Sequence, residues 1–304
     1  MRKRFIFNYA YTSLNTSVTI SMEEHKSTFD IKKRLIIHAD DAGLSCSENR
    51  ATINALEKGC VSSYSIMMPC PGAFEMVNFA KDNPEYDCGV HLTLTCEWKY
   101  YKFRPLSPLN EVKSLVDENG FFHSSRTLVK NNVKPEEAMK ELVAQIELAI
   151  NWGLKPTHLD SHMFTLCLTP DLLQVYKDLS KAYSLPILLD KELLTSFGVD
   201  ITKNISKTDF VIDKLYLGEY SWFEQNNLSG FYNQALEQVT DGLSVLLIHP
   251  AFDDYEMQSI CVDHPNFGAT WRQIDYDYFT SESCKLKLNE LNIELTTWKD
   301  FFKK

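Results

Sequence analysis

A chain of 304 residues with 44% hydrophobic and 12% aromatic content can bury one sizeable core, and α/β barrels of this length are commonly a single domain. Its formal charge of −10 excludes the basic footprint of a nucleic-acid binder or of a protein docking on an anionic membrane surface. No run approaches the roughly 18 apolar residues of a spanning helix, and eight cysteines without a CxxC pair read as reduced thiols in a reducing, cytoplasmic compartment.

Residues 1–31 start basic and aromatic, but Asn8, Thr12, Ser13, Asn15 and Thr16 break any apolar centre that a secretory signal would need. This stretch is expected to be a disordered or misassigned leader, with Met22 an alternative start and a single folded domain over 32–304.

From Lys32 onward two kinds of segment alternate. Strand-like runs are expected at residues 34–40, 64–69, 88–94, 156–162, 185–190, 211–216, 244–250 and 292–298. Helices are expected at 46–59, 71–84, 134–153 and 169–184. The third has Ala138, Leu142, Ile146 and Ala149 on one stripe, acidic residues in its first turn and Gly153 as its stop. Alternation of this kind predicts βα units around a parallel sheet. Residues 97–123 form a long aromatic loop, the kind of segment that lies over an active face.

The polar residues that interrupt these apolar runs cluster at strand ends, and in a barrel of βα units the C-terminal strand ends form the active face. Asp40 and Asp41 close the first run before Ala42-Gly43, where the chain can leave strand geometry and send both carboxylates to one site. One can bind a divalent cation while the other takes a proton from water; an Asp-rich turn with a helix cap is the alternative. His91 shares a strand face with Thr93 and Thr95. It is either a hydrogen-bonded core residue or the third partner of Asp41 and His162 in a two-His, one-carboxylate site.

In residues 155–164 (KPTHLDSHMF), His158, Asp160 and His162 recur every second residue, which points all three to one face of a strand. Three such groups on a buried face need a partner, either a bound ion or, in a polar strand end with satisfied core histidines, hydrogen bonds within the core. His249 ends the run LLIH before Pro250 and suits proton donation to a leaving amine, or else caps a strand end.

HADDAG, GVHLTLT, PTHLDSH and IHPAF, in this order and at these separations, resemble the YdjC/ChbG-type carbohydrate deacetylases over residues 32–302. The resemblance implies a distorted TIM-like (β/α) barrel, hydrolysis of N-acetyl groups on amino sugars or small chitooligosaccharides, and a divalent metal, Mg²⁺ or Zn²⁺. Carried over residue by residue, it makes Asp41, His91 and His162 the metal ligands, Asp40 the general base and His249 the general acid. Asp160 would orient a ligand imidazole or stabilise His249, with His158 also in the surrounding shell.

Members often read HLDSHHH where this chain has Met163 and Phe164, and an Arg where it has Leu188, so the pocket wall differs while the metal set is intact. Trp98, Tyr100, Tyr101 and Phe103, together with residues 261–279, are expected to wall the sugar, since aromatic rings pack on apolar sugar faces; rim packing is the alternative. Two rival readings are a metal-independent glycoside hydrolase pairing Asp40 with Glu97, and a sugar-binding barrel without catalysis. The expected partner is an N-acetylated sugar. Homo-oligomers are common for such barrels, but no exposed stripe in the sequence points to one.

Overall fold

Seven parallel strands, β1 (Lys33–Ala42), β2 (Ser63–Ile66), β3 (Asp87–Leu92), β4 (Leu159–Ser161), β5 (Lys214–Leu217), β6 (Gly242–Ile248) and β7 (Glu294–Leu295), make one sheet in the computed structural model. It describes residues 32–302, so the expected leader lies outside the described residues. The order is β4-β3-β2-β1-β6-β5, with β7 alongside the first part of β1 through Arg34 and Leu35.

The sheet curls until its two edges face each other across residues 186–189. On one side Leu159 N–H donates to Pro186 C=O (2.9 Å); on the other Ile212 N–H donates to Leu189 C=O (3.0 Å). The distorted barrel expected from the sequence is present as a half-barrel, a curved parallel sheet wrapped by helices, with this segment linked by single hydrogen bonds to β4 and to Ile212 just before β5. The strand expected at 185–190 is a single bridge, Leu159 to Ile187, and not a ladder. Pro186 has no N–H to give, and β4 beside it is only three residues long.

Other elements shift at their ends. The run at 211–216 becomes a strand only from Lys214, and that at 292–298 shrinks to two residues. The run at 156–162 pairs only over Leu159–Ser161, which leaves His158 before the strand and His162 at the first position of a tight turn. The four expected helices are observed at Cys46–Lys58, Ala73–Asp82, Pro135–Asn151 and Pro170–Tyr183.

Local chemistry explains these helices. Ser45 caps the first by accepting from Glu48 N–H, and Thr169 caps the last by accepting from Leu172 N–H. Pro135 opens the third, whose buried stripe of Ala138, Leu142, Ile146 and Ala149 packs toward the sheet. Burying each Leu or Ile of such a stripe contributes roughly 1.5–3 kcal/mol.

That helix also holds the long loop in place. Glu141, fully buried, accepts from Leu106 N–H (3.0 Å) and Ser107 N–H (2.9 Å), and Gln145 exchanges hydrogen bonds with the backbone of Thr93. A loop tied by side chains of a packed helix is a fixed wall, so the residues it carries have defined positions at the barrel mouth.

The barrel interior is filled by polar groups as well as apolar ones, and Gly89 makes room for them. A Cβ at this position of β3 would lie 2.4 Å from His158 Nε2. Gly89→Ala is expected to displace the His158 ring and lower stability by about 1–3 kcal/mol, the usual cost of overpacking, read as a lowered urea midpoint.

Candidate metal centre

β1 carries an irregularity near its C-terminal end. Its register against β2 runs His38 to Ser63 and Ala39 to Tyr64, then jumps to Ala42 opposite Ile66, one extra residue on the β1 side. Asp41 sits there with φ 64°, a left-handed conformation that Asp tolerates better than most residues. The bulge breaks the strict alternation of a strand, so consecutive carboxylates serve one site.

Asp41, His91 and His162 converge there. His162 Nδ1 lies 3.0 Å from Asp41 Oδ1, His91 Nε2 lies 3.3 Å from the same oxygen, and the two ring nitrogens are 3.2 Å apart. Ligands held at about 2.0–2.2 Å from one ion are themselves about 3–3.5 Å apart, so this triangle has the dimensions of three ligands of one divalent cation. Asp41 Oδ1 is buried and receives no hydrogen bond, an orphaned acceptor at the point toward which both imidazoles are aimed. The donor set therefore fits a metal ion.

The other atoms of these residues are committed elsewhere. Asp41 Oδ2 accepts from Arg272 Nη2 (2.7 Å), His91 Nδ1 faces Asp160 Oδ1 (2.8 Å), and His162 Nε2 faces Glu97 Oε2 (3.2 Å). Asp160 also takes Ser65 Oγ–H (2.8 Å) and lies 2.7 Å from His38 Nε2. Carboxylates behind ligand histidines fix the ring orientation and tautomer.

Electrostatics follow from burial and these neighbours. Burial alone would raise Asp41, but His162 and Arg272 hold its carboxyl well below the usual range. Burial opposes charge on His162, yet Glu97 and Asp41 push it up to about 9, and Asp160 and Asp40 likewise raise His91. The buried carboxylates thus bias both imidazoles toward the charged form, and a divalent ion among them would supply that positive charge instead.

Asp40 and His249 flank the triangle. Asp40 Oδ2 is 3.8 Å from His249 Nε2, and Asp40 Oδ1 is 3.3 Å from His38 Nε2. Burial pushes Asp40 up to about 6 against the pull of His91 and His38. His249 donates its backbone N–H to Asp275 (2.8 Å), while its Nδ1 is buried without a partner. Burial, with positive charge at Arg272, holds its imidazole down to about 3, so the ring is neutral and not poised near neutrality as the sequence suggested.

His158 lies deeper, 3.8 Å from Asp160 and stacked on Trp298, and burial keeps it neutral at about 4. Of the aromatic residues expected at the substrate, Trp98 is 1% exposed, with the Arg272 guanidinium 5.4 Å over its ring. Tyr100 stands out at 72% exposure, and Tyr101 donates its hydroxyl to Leu44 C=O. Met163 and Phe164 both take left-handed backbone, and Phe164 and Leu188 are buried.

Arg272, Glu48 and Asp275 carry no local mark of a site in the sequence, and Glu97 stands out there only as half of a glycosidase pair. Arg272 is fully buried, binding Asp41, Glu48 (2.8 Å) and Phe267 C=O (2.7 Å) at once. The signal available was a lone Arg inside the aromatic run WRQIDYDYF.

The family model described as YdjC-like protein matches residues 34–290. A carbohydrate deacetylase of Thermus thermophilus is 31% identical, covering 88% of this chain and 93% of its own, and one of Geobacillus stearothermophilus is 28% identical over 88% and 98%. A crystal structure from Enterococcus faecalis, described as a cellobiose-phosphate cleavage protein, superposes with a TM-score of 0.73 at 26% identity, covering 89% of this chain and 99% of that one.

Proposed function

The chain belongs to the family of YdjC-like proteins, and from that premise we propose that it removes N-acetyl groups from amino sugars or small oligosaccharides of the chitooligosaccharide kind. The observation that supports this most is the orphaned Asp41 Oδ1 facing His91 and His162, with Asp40 beside them. Relatives named carbohydrate deacetylase extend over nearly the whole described chain.

Asp41, His91 and His162 would hold a divalent ion, which when bound polarises the acetyl carbonyl and makes water more acidic. Two imidazoles favour Zn²⁺ or another first-row ion over Mg²⁺, which prefers an all-oxygen shell. Asp40 takes a proton as the water oxygen joins the acetyl carbon. Asp40 and His249 Nε2 are 3.8 Å apart, so the proton passes between them by way of one water and goes on to the departing nitrogen as the carbon–nitrogen bond breaks. Free amine and acetate result. A neutral His249 has the vacancy that this transfer requires. Tyr100 and Tyr101 would supply an outer wall for the sugar, and Met163, Phe164 and Leu188, at positions where members often have His, His and Arg, would make the pocket less polar than is common for the family.

The rival glycosidase needs Glu97 free as a second carboxylate, whereas Glu97 is engaged with His162. Acetate release from N-acetylglucosamine oligomers, by protein stripped with chelator and reloaded with Zn²⁺, Co²⁺, Mn²⁺ or Mg²⁺, tests the proposal. Acetate that disappears with chelation and returns with metal is the expected outcome. Reducing sugar without acetate would establish the glycosidase, and tight sugar binding with neither product would establish a silent binding barrel.

His249→Ala is expected to slow acetate release from an N-acetyl sugar by about 10²–10³-fold, within the range for a lost general acid. The same variant should be much less impaired on 4-nitrophenyl acetate, whose leaving group needs no proton. Equal impairment on both substrates would remove His249 from that role.

A further inference from the structure

Glu97 begins the long loop after β3, and its carboxylate reaches down to the metal centre. The side chain is 8% exposed, and Oε2 lies 3.2 Å from Nε2 of His162. The opposite nitrogen, Nδ1, faces Asp41 Oδ1 at 3.0 Å and His91 Nε2 at 3.2 Å. An imidazole that gives the Nδ1 lone pair to an ion must keep its proton on Nε2, and that N–H points at Glu97. His91 is arranged the other way round, with Nε2 toward the triangle and Nδ1 toward Asp160 (2.8 Å).

We propose that Glu97 is a positioning residue that fixes His162 in the tautomer and orientation needed to bind a divalent ion through Nδ1. This rests on the reading of Asp41, His91 and His162 as the ligand set. The assignment separates the two carboxylates: Asp160 comes from the strand that leads into His162 but serves His91, whereas Glu97 comes from the loop after the strand of His91 and serves His162. Each imidazole is thus braced by the chain segment that carries the other, and β3 and β4 are tied once within their ladder, where His91 and Asp160 are register partners, and once beyond its end, through Glu97 and His162. The next residues, Trp98, Tyr100 and Tyr101, belong to the substrate loop, so loss of the Glu97 contact also unfastens the base of that wall.

The test compares Glu97→Ala and Glu97→Gln in the full chain, titrated with Co²⁺ and followed by visible absorption, with long-range ¹H–¹⁵N spectra of the Zn²⁺-loaded proteins. Glu97→Ala is expected to weaken Co²⁺ binding by about 10–100-fold, the usual effect of removing a carboxylate behind a ligand histidine. Glu97→Gln keeps an acceptor oxygen opposite Nε2–H and should restore affinity to within a few-fold of the native protein. The spectra should show the Nε2–H tautomer of His162 in the native protein and in Glu97→Gln. Unchanged affinity in Glu97→Ala would overturn the inference, as would equal losses in both variants or a His162 proton on Nδ1. A native protein that takes up no Co²⁺ would instead overturn the ligand-set reading itself.

Discussion

Asp40→Asn is expected to lower kcat for acetate release by about 10²–10⁴-fold, the contribution typical of a positioned general base, and to leave divalent-ion affinity within a few-fold of native. The substitution changes almost nothing but the proton-accepting capacity: an amide oxygen can still face His38 Nε2, which lies 3.3 Å from Asp40 Oδ1. Asp40 stands outside the triangle of Asp41, His91 and His162, so the ion should load normally. His162→Ala is the contrasting variant, because it deletes a corner of the triangle and should lose ion and turnover together. Calorimetric titration of Zn²⁺ beside the acetate assay separates the cases. A near-native rate in Asp40→Asn would place the base elsewhere, and loss of ion binding would make Asp40 a ligand.

Arg272→Ala should be among the most destabilising single changes in the barrel, costing about 3–5 kcal/mol, as expected when one partner of a buried ion pair is removed. The guanidinium is 1% exposed and serves Asp41, Glu48 and Phe267 C=O together. Its loss leaves Asp41 Oδ2 and Glu48 Oε2 buried without their donor, while Glu48 Oε1 already lacks one. The contact with the Trp98 ring goes as well. Urea denaturation of chelator-treated protein would show the loss directly. Added Zn²⁺ should return part of it, since an ion that binds only the folded state stabilises that state. A change below about 1 kcal/mol would mean that water reaches the pair and satisfies both carboxylates.

The legible parts of this chain are those where local pattern and tertiary role agree. β1, β3 and β6 are apolar runs ended or interrupted by Asp or His, and the helix Pro135–Asn151 carries an unbroken stripe, so both were visible. Asp40, Asp41, His91, His162 and His249 stood out as polar residues in apolar strands, and the structure brings them together.

The helix Ala269–Thr280 was not legible, because its buried face includes Arg272 and Asp275 and so lacks an apolar period. Those charges are buried in order to bind Asp41 and the His249 backbone, a reason that exists only in three dimensions. Glu97 was hidden for a similar cause. Nothing local distinguishes a loop glutamate that grips a histidine 65 positions away from one that is solvated. Residues 185–190 misled in the opposite direction: the composition is that of a strand, but Pro186 and a three-residue neighbour permit only one bridge.

The bridging segment at 186–189 also divides the labour of the ring. β4, β3, β2, β1 and β6 form an uninterrupted arc of ladders, and this arc carries or directly precedes Asp40, Asp41, His91, His162 and His249. None of these residues stands on the seam, where single backbone hydrogen bonds to Pro186 and Leu189 replace a ladder. The ladders that set the spacing of Asp40, Asp41, His91, His162 and His249 therefore do not depend on the seam, whose hydrogen bonds are made outside them.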